Sequence, residues 1–222
     1  MLVRTNNADR YRLDGDLAVL AGEQILCSEF KYRRGAEIFG EGEETEYVYQ
    51  IISGAVRTFK LLSDGRRQIN SFHLTGDLFG LENGSTYRFT AEAVVETKVR
   101  IIRRRSLFET FASRKAGATN FLGLVTRNLK HAEDHMLLLG RKTALEKVAA
   151  FLLEMDKRLG HPDVMILPMS RRDVADYLGL TLETVSRALS TLRNENVLRF
   201  DGLMQRHLVL LDRVALAELD GQ

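Results

Sequence analysis

The sequence is poor in residues that staple, kink or anchor a chain: of its 222 residues one is Cys, two are Pro and none is Trp. A single thiol, Cys27, makes neither an internal disulfide nor a four-thiolate metal site, and its expected place is that of a small buried hydrophobe. Long apolar runs are missing too. Short runs such as Met136–Leu139 and Leu208–Leu211 fall far short of the ~20 residues a membrane-spanning helix needs. Residues 1–15 are polar, with Arg4, Asp9, Arg10 and Arg12, and lack the apolar stretch of a secretory signal, so a cytoplasmic location is expected. Excess charge of either sign is also absent. The 32 Lys+Arg and 30 Asp+Glu leave a net charge of +2, and from Arg141 onward the count is 12 against 12. Any nucleic-acid binding must therefore rest on where charge is placed rather than on its total.

What is present falls into three segments. In the first, residues 1–105, an N-terminal arm precedes short runs rich in Val, Ile, Phe, Tyr and Thr: Glu37–Phe39, Tyr47–Ser53, Ala55–Leu61, Arg67–Leu74 and Ala91–Ile102. Glycines punctuate the runs, and Ser63-Asp64-Gly65 reads as a hairpin turn. From about Gly22 to Arg104 this pattern predicts an all-β roll or barrel. A β-roll enzyme would need several histidines and a carboxylate converging inside the barrel. This stretch holds one histidine, His73, so no enzyme, metal or cofactor is expected.

The second segment, residues 106–140, contains no proline. Leu122, Leu129 and Met136 form one seven-residue series, and Ala118, Val125, Ala132 and Leu139 form another. Their offset by three and four is that of a two-stranded coiled-coil seam. The segment reads either as a helix packed on its own domain or as a long helix that pairs with its copy. Gly140 is expected to cap its C-terminus. His131 and His135 have the i,i+4 spacing of a metal pair, but the heptad frame sets Ala132 and Met136 in the seam and His135 on its flank, so both are expected as surface or interface residues.

In the third segment, residues 141–222, Thr143–Leu159 is amphipathic and Gly160–Asp163 is a turn. Ser170 with Asp173 forms an N-cap pattern for a helix ending at Gly179, and Thr181 caps a second helix to about Asn194. Val197–Phe200 and His207–Leu211 follow as strands. Helix, glycine turn, helix and hairpin is the order of a winged helix-turn-helix, which makes the expected fold class α+β. On the second helix Val185, Ala188, Leu189 and Leu192 share one face, while Glu183, Ser186, Arg187 and Ser190 form a polar stripe. Arg donates twice to guanine, Glu accepts from the cytosine amino group, Ser bonds either kind of edge, and Leu182 or Thr184 suits a thymine methyl. Glu183 and Arg187 are also an ordinary i,i+4 ion pair; the turn, the caps and the hairpin around them favour base reading. Arg171 and Arg172 read as phosphate contacts, as do Arg206 and His207 on the wing. A nucleotide sensor without DNA contact would leave residues 170–211 unexplained.

The run Leu178-Gly-Leu-Thr-Leu-Glu-Thr-Val-Ser-Arg187 resembles the DNA-reading motif of the CRP/FNR family of transcription regulators, and Glu183-x-x-Ser186-Arg187 resembles its FNR/FixK branch. Gly76-Asp77-Leu78-Phe79-Gly80 is similar to the family's β-roll signature. The resemblance covers about Gly22 to Leu211. It implies a cyclic-nucleotide-binding-like jelly roll, a dimerisation helix and a winged helix, acting as a homodimer on palindromic double-stranded DNA of TTGA-N6-TCAA type. By position, Glu183 and Arg187 would read the C·G pair and Ser186 a neighbouring thymine, with Ser170, Arg171, Thr181 and Thr184 on the backbone. The hairpin 63–68 and the loop 159–163 occupy positions family members use to touch RNA polymerase, which singles out Asp64 and His161. Two departures bear on the effector. Leu81 stands where the cyclic-AMP branch has Glu, and Arg88 is followed by Phe89 rather than Ser, so no cyclic-AMP dependence is expected. Cys27 alone cannot hold the iron–sulfur centre of the oxygen-sensing branch. The resemblance thus implies an activator without bound effector in low-oxygen or nitrogen-fixation control. The alternative is a regulator dependent on haem, with His73 as a ligand, or on another small ligand. Some FixK-like sequences carry Cys where this chain has Ser170, which cannot undergo thiol oxidation.

Overall fold

The computed structural model describes residues 3–4, 27–113, 117–202 and 206–221. Most of the arm and the expected start of the roll at Gly22 lie outside the described residues. Two compact units are present, Met1–Lys130 and His131–Gln222. Among the described residues no helix is long and apolar enough to cross a membrane.

The first unit holds strands β1 (Val3–Arg4), β2 (Cys27–Tyr32), β3 (Glu37–Phe39), β4 (Tyr47–Ser53), β5 (Val56–Leu61), β6 (Arg67–His73), β7 (Leu78–Phe79), β8 (Thr90–Ala93) and β9 (Thr97–Arg103). They form two antiparallel sheets, ordered β1-β2-β9-β4-β7 and β3-β8-β5-β6. Alternation decides which residues meet inside. Tyr32, Tyr49, Ile51, Phe79 and Val99 of the first sheet join Phe39, Val56, Ala91 and Ala93 of the second in one buried cluster. The other face of the five-stranded sheet buries Cys27, Val48, Leu78 and Ile102 against Leu107 and Phe111 of helix α1 (Arg104–Ser113) and Leu124 of helix α2 (Gly117–Arg141).

Three expectations are corrected. The run Ala91–Ile102 is two strands, β8 and β9, broken at Val94–Glu96 where the chain leaves one sheet for the other. The crossing contains neither Gly nor Pro, so no local signal marks it. It is held by Thr97, whose Oγ1 donates to Ala55 O at 3.0 Å, and by Gly54, whose φ is +99°. The segment 106–140 is described as two helices, with residues 114–116 outside the described residues. Gly140 is no C-cap, because α2 continues through it to Arg141.

The second unit holds the end of α2 and then α3 (Ala144–Arg158), β10 (Met165–Ile166), α4 (Arg171–Leu178), α5 (Leu182–Asn194), β11 (Leu198–Phe200), β12 (His207–Leu210) and α6 (Arg213–Asp220). The strands form an antiparallel sheet ordered β10-β12-β11. Neither β10 nor α6 is among the elements expected from the sequence. Thr143 and Ser170 build full capping boxes with Glu146 and Asp173. Gly179 ends α4 in the left-handed conformation, and Thr181 starts α5 by accepting from Thr184 N. Asp212 caps α6, and Arg213 grips the buried carboxylate of Asp156 at 2.8 and 2.9 Å.

Candidate nucleic-acid interface

Helix α5 is fixed by the face it buries. Val185, Ala188, Leu189 and Leu192 are all buried, as the wheel predicts, and this orients the opposite stripe outward. Glu183 and Arg187 are exposed; Leu182, Thr184, Ser186 and Ser190 are half-buried. The Glu183 carboxyl is held below the usual carboxylate range. Its own backbone N–H at the helix N-terminus is the main cause, followed by the Thr181 hydroxyl, with Arg172 and Arg187 adding positive charge. At neutral pH the stripe thus presents a carboxylate acceptor and a guanidinium donor one turn apart. Ser190 is turned away from that task, since its hydroxyl donates to Ser186 O at 2.9 Å.

The residues expected on the DNA backbone fall into different environments. Thr181 and Thr184 share a hydroxyl–hydroxyl bond of 2.9 Å at the start of α5. Ser170 donates through Oγ to Asp173 at 2.7 Å and accepts from Asp173 N at 3.2 Å, so its hydroxyl serves the cap. Arg206 donates to Pro168 O at 3.3 Å. Arg172 is exposed, whereas Arg171 is half-buried. Its guanidinium lies 5.2 Å from the centre of the Phe200 ring and donates to Ser186 Oγ at 3.4 Å. Phe200 carried no functional signal in the sequence; its place beside Arg171 comes from pairing of β11 with β12.

On α2 the side chains of Leu122, Val125, Leu129 and Met136 are exposed, Met136 to 66%. Ala118 and Ala132 are also exposed, and Leu139 is half-buried. Buried positions of the same helix, Leu124 and Leu138, lie off this stripe. His135 departs from the surface position expected of it. It stacks on Tyr177 with ring centres 4.1 Å apart, and burial, with His131 and Lys147 nearby, lowers its pKa to about 4. His131 lies 3.7 Å from Glu154. Among the described residues no group of three His, Cys, Asp or Glu is placed to hold a metal.

Inside the roll, Phe39 stacks on Tyr87 at 3.8 Å, and Tyr49 and Phe79 stack beside them. The Tyr87 hydroxyl donates to Tyr47 O at 2.7 Å. Arg88 is exposed and paired with Glu82 at 2.8 Å, and Leu81 packs with the apolar cluster under α1. His73 stacks on Phe79 and shares a 3.2 Å bond with Thr58. At the β5–β6 turn Asp64 binds Arg66 at 2.7 Å. On the loop after α3, His161 binds Asp156 through Nδ1 at 2.6 Å.

Comparison with known proteins agrees with this architecture. Residues 146–219 match the Crp-like helix-turn-helix domain and residues 29–114 the cyclic nucleotide-binding domain. The nitrogen fixation regulation protein FixK of Azorhizobium caulinodans is 45% identical over 194 residues, 85% of this chain and 77% of that protein. FixK of Rhizobium meliloti is 41% identical over 181 residues, 82% of this chain and 81% of that protein. The structure of FixK2 from Bradyrhizobium japonicum superposes with a TM-score of 0.84 at 56% identity, covering 88% of this chain and 98% of that one. The chain is therefore a DNA-binding transcription regulator that belongs to the CRP/FNR family, in its FixK-like branch.

Proposed function

We propose that the protein is a homodimeric transcription activator that binds a TTGA-N6-TCAA-type palindrome without a small-molecule effector, in low-oxygen or nitrogen-fixation control. The observation that carries the reading is α5: its buried face turns Glu183, Ser186 and Arg187 outward at the helix N-terminal half, as direct readout from a major groove requires. Glu183 accepts from the cytosine amino group, Arg187 donates to guanine of the same pair, and Ser186 contacts the adjoining thymine. Leu182 lies against a base methyl, while Thr181, Thr184, Ser170 and Arg206 face the backbone; Arg171, which the sequence pattern also places there, is half-buried against Phe200 and Ser186. The FixK relatives, described as nitrogen fixation regulation proteins, support the regulatory reading.

Pairing of two copies along Ala118, Leu122, Val125, Leu129, Ala132, Met136 and Leu139 would cover an apolar stripe that a single chain leaves in water. It would set two recognition helices about 34 Å apart, in successive major grooves. The effector-free reading is supported by the roll itself: Phe39, Tyr49, Phe79 and Tyr87 fill its interior and Arg88 is turned to Glu82. We assign residues 1–105 to the arm and roll, 106–140 to dimerisation and 141–222 to DNA binding, in the cytoplasm. RNA polymerase would meet Asp64 and His161. Asp64→Ala then lowers transcription with DNA affinity intact; unchanged transcription removes that contact.

The test is fluorescence anisotropy of the purified protein, without added ligand, on a TTGA-N6-TCAA duplex and a scrambled one. Selective binding in aerobic buffer is expected. Selectivity that arises only with added ligand would restore the effector-dependent alternative, and absence of selectivity under every condition would remove residues 183–187 as the reading surface. Arg187→Ala should cost roughly 1–3 kcal/mol, concentrated at the guanine.

A further inference from the structure

Arg171 sits where the sequence suggests a phosphate contact, yet its surroundings are those of a structural pivot. It stands in the first turn of α4, and its guanidinium covers the ring of Phe200 in β11. One end, Nη1, reaches Ser186 Oγ in the N-terminal half of α5 at 3.4 Å. The Nε is buried without a hydrogen-bond partner, and burial, with Arg193 nearby, lowers the pKa. A phosphate contact draws on guanidinium N–H groups turned to the DNA, whereas Arg171 commits Nη1 to Ser186 and buries Nε. The exposed cation on this turn is Arg172.

We propose that Arg171 is a positioning residue for base selection: stacked on Phe200, it donates to Ser186 Oγ and so directs the Ser186 hydroxyl toward an acceptor on the base edge. The proposal rests on the reading of Ser186 as a base contact. A serine hydroxyl has one proton and two lone pairs and, left alone, rotates to suit either kind of partner. With a guanidinium donating to it, an oxygen lone pair is engaged and the O–H remains to donate. In the major groove thymine offers the O4 acceptor, and cytosine at the equivalent place offers an amino donor. A polarised Ser186 therefore favours thymine over cytosine. Phe200 enters because a planar guanidinium stacked on a ring is held in one orientation, which a lysine ammonium cannot reproduce. In this arrangement the wing strand β11 shapes readout by α5 without itself entering the groove.

The experiment measures anisotropy on TTGA-N6-TCAA duplexes in which each thymine of the half-site is replaced in turn by cytosine, at several salt concentrations. Six proteins are compared: the full chain, its Ser186→Ala, Arg171→Lys, Arg171→Met and Phe200→Leu variants, and the Ser186→Ala/Arg171→Lys double variant, each checked for an unchanged thermal midpoint. Ser186→Ala identifies the thymine that Ser186 reads. Arg171→Lys and Phe200→Leu are each expected to narrow the thymine-over-cytosine ratio at that same position by about fivefold, the worth of one hydrogen bond. Binding to scrambled DNA and the salt slope should stay as in the parent, and Arg171→Lys should add nothing in the Ser186→Ala background. If instead Arg171→Lys retains full selectivity while Arg171→Met loses affinity equally on every duplex, with the salt slope reduced by about one, Arg171 is a phosphate contact and the proposal fails. If Ser186→Ala changes no ratio, the base-reading role of Ser186 fails and Arg171 has nothing to position. If Ser186→Ala alone changes the ratio, the Ser186 reading stands and only the Arg171 proposal is overturned.

Discussion

Leu129 offers a quantitative test of the paired-helix reading, because the structure supplies its own control. Leu129 is 57% exposed in the single chain and lies on the proposed seam; Leu137, on the same helix and 68% exposed, lies off it. Truncation to Ala removes roughly 80 Å² of apolar surface that the seam would bury, or about 2 kcal/mol at ~25 cal/mol per Å². A two-fold interface counts each substitution twice. Leu129→Ala should therefore weaken the dimer by about 4 kcal/mol, close to a thousandfold in dissociation constant. Alanine is the best helix former, so the loss cannot be ascribed to a weakened helix. Sedimentation equilibrium on the parent, Leu129→Ala and Leu137→Ala proteins gives the three constants. Equal dimerisation of Leu129→Ala and the parent, or an equal loss in Leu137→Ala, would refute the seam.

Three further outcomes follow from the same geometry. His135 has its pKa lowered from 6.5 to about 4 in the folded protein, so its stabilising contribution is complete above pH 6.5. That contribution is lost as the pH falls from 6.5 towards 4, at no more than ~1.4 kcal/mol per pH unit. Thermal midpoints of the parent and His135→Phe, which keeps a ring on Tyr177, should diverge below pH 6.5; parallel curves would show that His135 titrates normally. Arg213→Ala leaves the buried Asp156 carboxylate with His161, and urea titration should show a loss of about 2 kcal/mol, smaller when Asp156→Asn is added. A loss below ~0.5 kcal/mol would mean that the pair adds nothing. Gly54→Ala combines a φ of +99° with a Cβ 2.6 Å from Glu96 O, and should cost more than ~2 kcal/mol by the same assay; an unchanged midpoint would show that the turn relaxes freely.

Much of the fold was legible because its signals are local. Ser170 meets Asp173 and Thr181 meets Thr184 within one turn, so the caps of α4 and α5 can be read from side-chain type and spacing. The β-rich composition of β4 and β5 likewise marks them as strands, although alternation alone does not say which residues face inward, since Val48–Ile51 of β4 are all buried between two covered faces. The break between β8 and β9 was not legible, because both flanks are apolar and the crossing is stabilised by Ala55 and Thr97, 42 positions apart. Gly140 misled because a glycine suits a C-cap but is also tolerated inside a helix.

The sequence by itself determined the order of the elements and the polar stripe of α5, since caps, helical period and glycine turns act over a few residues. Only the tertiary structure decided that Arg171 lies over Phe200 and against Ser186, and that His135 stacks on Tyr177 rather than facing water. Those neighbours are separated by 15 positions (Arg171 and Ser186), 29 (Arg171 and Phe200) and 42 (His135 and Tyr177) along the chain. Their meeting depends on how the elements pack and how the strands pair, which no short window of sequence encodes.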